Sequence, residues 1–227
     1  MAQDALRIPV ALPAATVEVS AVQERPADAW ALLAIAHGAG AGHTHPFLRG
    51  FAHGMREQGV ATLRFSFPYL EAGRRMPGPA AHAVATWRAV QACADDGDPP
   101  FWAAGKSYGG RMASMAAAEG AIDPAGLVYL GYPLHPPGDP AKARTAHLPD
   151  IRQPQLFVEG TKDPFIDPRS QLEEAVASCR DASISWIDGG GHSFEVAGRK
   201  RPADEVGFAL APRVAEWMRA IGQRPAA

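Results

Sequence analysis

Apolar positions along the chain fall into two kinds of run. Short runs that are apolar almost throughout read as strands buried on both faces, since either side of such a strand meets a covering layer. These are "WALLAIA" (30–36), "VATLRFSF" (60–67, stopped by Pro68), "PFWAAG" (100–105), "GLVYLGY" (126–132), "PQLFVEG" (154–160) and "SISWID" (183–188). Longer segments with helical spacing lie between them: 47–59, 79–96, 108–120, 167–179 and roughly 203–221. Asp167 is placed to cap the fourth of these ahead of Pro168, and Pro212 predicts a kink or a late start in the last. "ATVEVSAVQ" (15–23) alternates instead, as a half-exposed strand at a sheet edge would.

Strand–helix alternation of this kind predicts an α/β fold, with a mostly parallel central sheet and helices on both faces. The longest loop-like segment, 133–153, joins two strands of that sheet and is too short for a folded cap. With no internal repeat and no long linker, residues 1–227 are expected to form a single domain with no cap domain.

Bulk properties narrow the function classes. The chain has 227 residues, 47% of them hydrophobic, which suits one large core. A net charge of -2 leaves no electrostatic footprint for nucleic acid. The longest apolar run, 29–36, is too short to span a bilayer. The first residues, with Asp4 and prolines at 9 and 13, lack the basic-then-apolar order of a signal peptide. A cytoplasmic location with no membrane partner is expected. Cys93 and Cys179 show no spacing pattern and are expected as reduced, partly buried thiols.

The chemistry centres on "FWAAGKSYGGRM" (101–112). Its Gly105-Lys106-Ser107 could close a phosphate-binding P-loop, but the glycine that motif needs five positions earlier is Pro100, which has no N–H to offer. The same letters sit in Gly105-Lys106-Ser107-Tyr108-Gly109, a G-x-S-x-G turn between a strand and a helix. Such a turn exposes a nucleophilic serine, and its tightness demands tiny residues two positions either side. A serine hydroxyl needs a histidine to take its proton and an acid to orient that histidine, in the chain order Ser, Asp, His. Asp163 follows the strand in "LFVEGTKDPF", and His192 follows the last strand in "ISWIDGGGHSF". Asp163 could equally cap its turn, whereas Asp188 sits too close to its strand's end to be the favoured acid.

Oxyanion donors are expected from the Tyr108 amide and, in the loop "HGAGAG" (37–42), from the Ala39 amide. That loop is not a dinucleotide fingerprint, because His43 stands where the third glycine would be. His37 is read as a brace for the loop. "HTH" (43–45) lacks an evident third metal ligand and is read as a loop rim. Arg74 and Arg75 in "FPYLEAGRRMPG", with Arg111 one turn along the serine's helix, are candidates for substrate binding and would favour anionic esters. The plainer alternative is that they are solvated, or partners of Glu71 and nearby acids.

Taken together, "HGAGAGHTHPF", "ATLRFSFPYLEAGRR", "AAGKSYGGRM", "LGYPLHPPG", "LFVEGTKDPF" and "GGGHSF" resemble the compact α/β hydrolases of the dienelactone-hydrolase type. More narrowly, they look like the branch shared by bacterial α/β-hydrolase proteins and the NSL-complex-subunit and testis-expressed proteins of animals. The resemblance spans roughly residues 30–195 and implies Ser107, Asp163 and His192 as the triad. Many relatives carry an acid just before the histidine, where this chain has Gly191. The expected activity is a serine hydrolase on small soluble carboxylic esters, with a small-molecule substrate and no metal or organic cofactor. A thioesterase or peptidase with the same machinery, or a non-catalytic interaction module, are the alternatives. Oligomeric state is not legible.

Overall fold

The computed structural model describes residues 2–94 and 99–224; the 95–96 end of the helix predicted over 79–96 lies outside them. Among the described residues, eight strands form one sheet in the order β1-β2-β4-β3-β5-β6-β7-β8. They are β1 (Ala2–Ala11), β2 (Thr16–Arg25), β3 (Ala31–Ala36), β4 (Val60–Phe65), β5 (Phe101–Lys106), β6 (Leu127–Leu130), β7 (Gln155–Gly160) and β8 (Ala182–Ile187). β1 and β2 run antiparallel to their neighbours, and every pairing from β4 to β8 is parallel.

Among the described residues six α-helices accompany the sheet: α1 (Pro46–Glu57), α2 (Pro68–Glu71), α3 (Ala80–Ala94), α4 (Tyr108–Ala118), α5 (Arg169–Ala177) and α6 (Ala203–Gly222). Alternation along β3 divides the core between the two faces. Leu32, Ala34 and Ala36 pack with α3, α4 and α5, while Ala31, Leu33 and Ile35 pack with α1 and α6. All six residues of β3 are buried, as a strand covered on both sides requires. The chain from β6 to β7 contains only two short 3₁₀ turns, so no cap covers the carboxyl ends of the strands. Among the described residues no helix is long and apolar enough to cross a membrane.

Several expectations are corrected. Residues 15–23 do not form an edge: β2 lies between β1, which is the edge strand on that side, and β4. Leu6, Ile8 and Val10 alternate inward along β1, and Pro9 is tolerated because an edge strand leaves one side of its backbone unpaired. The last helix starts at Ala203, as the 203–221 pattern predicts, and runs through Pro212, so of the two readings of that proline only the late start is excluded. Asp167 does not cap α5; Pro168 occupies the cap position. Cys93 is exposed instead of partly buried, Cys179 is half-buried, and both are free.

Candidate active site

β5 ends at Lys106 and α4 begins at Tyr108, which leaves Ser107 alone to make the turn. Its backbone sits at φ 49°, ψ -114°, a region that strains a residue with a side chain by roughly 1–3 kcal/mol. The turn closes because its flanks lack side chains. A Cβ on Gly105 would lie 2.2 Å from the Gly110 nitrogen, and one on Gly109 would lie 2.6 Å from the His37 carbonyl. The Ser107 amide donates to the Leu130 carbonyl at 3.1 Å, which ties the turn to β6.

Ser107, Asp163 and His192 lie beyond the carboxyl ends of β5, β7 and β8, where parallel sheets build their sites. The three converge. His192 Nε2 is 2.8 Å from Ser107 Oγ, and His192 Nδ1 is 2.7 Å from Asp163 Oδ2. Asp163 also accepts from the Phe165 amide at 2.8 Å, so one carboxylate both caps its turn and meets the histidine. With the Asp163 side chain fully buried, Nδ1 is the natural place for the imidazole proton, leaving the Nε2 lone pair toward Ser107. The Phe165 ring stacks on His192 at 4.1 Å. Burial is the main influence that holds the His192 imidazole below its usual range. Lys106 adds to it, and Asp163 opposes it.

Residues 29–218 match the family described as an alpha/beta hydrolase domain. The chain belongs to that family. Dienelactone hydrolase from Anabaena variabilis shares the fold at a TM-score of 0.72 and 20% identity, covering 96% of this chain and 98% of its own. Est1E from Butyrivibrio proteoclasticus gives 0.70 at 17% identity, over 96% and 99%. A serine hydrolase without a lid from Xanthomonas campestris gives 0.68 at 19% identity, over 99% and 97%. At these identities the likeness is one of fold.

In this alpha/beta hydrolase domain a cleft of about 490 Å³ opens over Ser107 and His192. Its apolar wall includes Phe47 and Leu48 from α1, Phe165, and Val206 from α6. Ala39 lines it on the opposite loop, next to Gly38, where an added Cβ would come within 3.7 Å of the Ser107 Cβ. Among the described residues, neither the Ala39 nor the Tyr108 amide is bonded to an acceptor. The loop is braced by His37, which is wholly buried. The Phe67 amide donates to its Nε2 at 3.1 Å, so Nδ1 carries the proton and donates to the Gly38 carbonyl at 2.8 Å. A larger depression of about 980 Å³ lies between α1 and α6, away from the serine and the histidine.

The arginines are placed differently. Arg74 and Arg75 are exposed and do not line the cleft, although the Arg75 backbone borders Gly40 of the Ala39 loop. Neither is a partner of Glu71, which instead takes Arg7 and the Ser20 amide. Arg111 faces a separate depression. In the "HTH" loop, His43 bonds Ser66 at 2.8 Å and His45 caps α1 by accepting from the Phe47 amide. Among the described residues no group of three or more His, Cys, Asp or Glu is placed to hold a metal ion.

Two residues beside the triad were not singled out from sequence for the parts they take. Lys106 lines the cleft, donates from Nζ to the His192 carbonyl at 2.8 Å, and stands 5.5 Å from the centre of the Phe194 ring. Burial brings its amine down to about 8, against the pull of Asp163 and Glu159. Glu159, in β7, is wholly buried and accepts from the Tyr132 amide at 2.5 Å through one oxygen; the other has no partner. Burial pushes its carboxyl well above the usual range. A lone glutamate inside the apolar run "LFVEG" is the signal that could have found it.

Proposed function

We propose that this protein is a serine hydrolase of small, soluble carboxylic esters. In this reading Ser107 Oγ attacks the acyl carbon while His192 Nε2 takes its proton, and Asp163 orients and stabilises the resulting imidazolium. The tetrahedral oxyanion is held by the amides of Ala39 and Tyr108. Collapse expels the alcohol, which receives the proton from His192. Water, activated by the same imidazole, then releases the acid and frees Ser107. The observation that carries the proposal is the unbroken line from Ser107 Oγ through His192 to Asp163, at 2.8 and 2.7 Å. A strained serine supports it as well, since strain of that kind is retained where a site needs it.

The motifs also support placing the chain with the branch that includes the NSL-complex-subunit and testis-expressed proteins. A cytoplasmic, single-domain enzyme that needs no cofactor or metal completes the proposal. It is tested by labelling with a fluorophosphonate at neutral pH. Wild type should be labelled covalently at Ser107, and both Ser107→Ala and His192→Ala should not. Equal labelling of all three proteins, or none of any, would favour a non-catalytic interaction module.

A further inference from the structure

The sequence placed Arg111 near the nucleophile, but its side chain turns away from the cleft. It lines a second depression of about 310 Å³ between α4 and residues 143–147, which shares no lining residue with the cleft over Ser107. Arg144 lines the same depression from the loop side.

The walls are fixed. The Arg144 amide donates to the Leu134 carbonyl at 2.8 Å, and the Tyr132 hydroxyl donates to the Arg144 carbonyl at 3.0 Å. Ser114, wholly buried on α4, gives its one hydroxyl proton to the Arg111 carbonyl at 2.7 Å. His147 Nε2, 2.7 Å from Ser114 Oγ, must therefore be the donor in that contact. Burial first, and then Arg111, brings this imidazole down to about 4, so it is neutral at pH 7 and adds no positive charge.

What the depression lacks is a counter-ion. Elsewhere Arg7, Arg56, Arg64, Arg213 and Arg224 are paired with or bonded to side-chain oxygens. Among the described residues neither the Arg111 nor the Arg144 guanidinium has such a partner, and Arg111 Nε is buried with no acceptor at all. Burial and the repulsion of Arg144 both hold the Arg111 guanidinium below its usual range. The groups that oppose this are Tyr132 and Tyr108, phenols that burial pushes up to about 12 and that are neutral at pH 7. Glu119 stands exposed on the rim and pairs with neither arginine.

We propose that this depression is a binding site for a small oxyanion, a phosphate or phosphomonoester group held between the Arg111 and Arg144 guanidiniums. Two planar forks suit a tetrahedral dianion, whose oxygens can satisfy both, whereas one fork already satisfies a carboxylate. The anion would also replace a repulsion with two attractions.

The test is calorimetric titration at constant ionic strength set with chloride, using orthophosphate in one arm and glycerol 1-phosphate in the other. Saturable one-site binding is expected, weakened at least tenfold by Arg111→Gln or Arg144→Gln and unchanged by Ser107→Ala. Tighter binding of the glycerol ester would identify a phosphomonoester as the occupant, and tighter orthophosphate the free ion. Arg144→Gln carries the decision, because it lies on a loop and its replacement leaves α4 untouched. No saturable heat, binding that survives Arg144→Gln, or binding lost in Ser107→Ala would each overturn the assignment.

Discussion

Lys106 Nζ lies 2.8 Å from the carbonyl oxygen of His192, so the neighbour of the proposed nucleophile holds the residue proposed to activate it. A hydrogen bond from a charged donor is worth about 1.5–3 kcal/mol, enough to hold the glycine-rich histidine loop in one register. Lys106→Met should therefore lower kcat by roughly ten- to a hundredfold with little change in KM. Lys106→Arg should restore part of the loss. Steady-state kinetics on one ester checks both, and an unchanged kcat in Lys106→Met would remove the tether from the mechanism.

The pH profile gives an independent readout. Burial holds the His192 imidazole below its usual range, so the acid limb of the rate profile should lie at lower pH than an ordinary histidine would give. Lys106 is one of the influences that depress it. Removing that ammonium in Lys106→Met should move the acid limb to higher pH, a shift that a purely structural defect would not produce.

The strain at Ser107 should be visible in stability. Glycine adopts φ 49° freely, so Ser107→Gly should abolish hydrolysis while raising unfolding stability by about 1–3 kcal/mol. Gly109→Ala should instead lower stability, because its methyl would sit 2.6 Å from the His37 carbonyl and 2.8 Å from the Ala36 Cβ. Overpacking of that kind destabilises by about 1–3 kcal/mol. Urea melts of the two variants beside wild type decide the matter.

Substrate length follows from the open carboxyl end of the sheet. With about 490 Å³ over the serine and no cap, acetate and butyrate esters of p-nitrophenol should be hydrolysed faster than palmitate. No activation should appear at an oil–water interface. A preference for long chains would contradict this picture of the cleft.

Acid should loosen the loop that carries Ala39. Burial brings His37 from 6.5 down to about 4, so above pH 6.5 neither the folded nor the unfolded chain binds a proton there. As the pH falls below 6.5 the unfolded chain takes up a proton that the native one refuses, and stability declines until about pH 4. The full loss from this one group is about 3 kcal/mol, roughly 2 of it reached by pH 5. Protonation would also end the bond in which Nε2 accepts from the Phe67 amide. Denaturant midpoints measured from pH 7 to pH 5 should fall, and His37→Asn should flatten that slope.

Much of this architecture was legible because burial on two faces leaves a strong trace in one dimension. Each fully buried strand announced itself as an apolar run, and the turn glycines 105 and 109 marked Ser107. β1 escaped notice because Pro9 and Pro13 argue against a strand wherever both sides of the backbone are paired, and the sequence does not say which strand lies at an edge. Pro212 left a late start open for the last helix for a similar reason, since neighbours that stabilise a helix across a proline are distant in sequence.

By itself, then, the sequence determined the α/β alternation, the elbow at Ser107, and the chain order of the three candidate residues. Those are local matters of side-chain size, periodicity and strand ends. Only the tertiary structure decided that His192 reaches both Ser107 and Asp163, across separations of 85 and 29 positions. It also decided that Arg111 turns from the cleft toward Arg144, and that Lys106 and Glu159 are drawn into the interior beside the triad. A side chain's direction and desolvation depend on which strands become neighbours, and sheet order is set by packing among residues far apart in the chain.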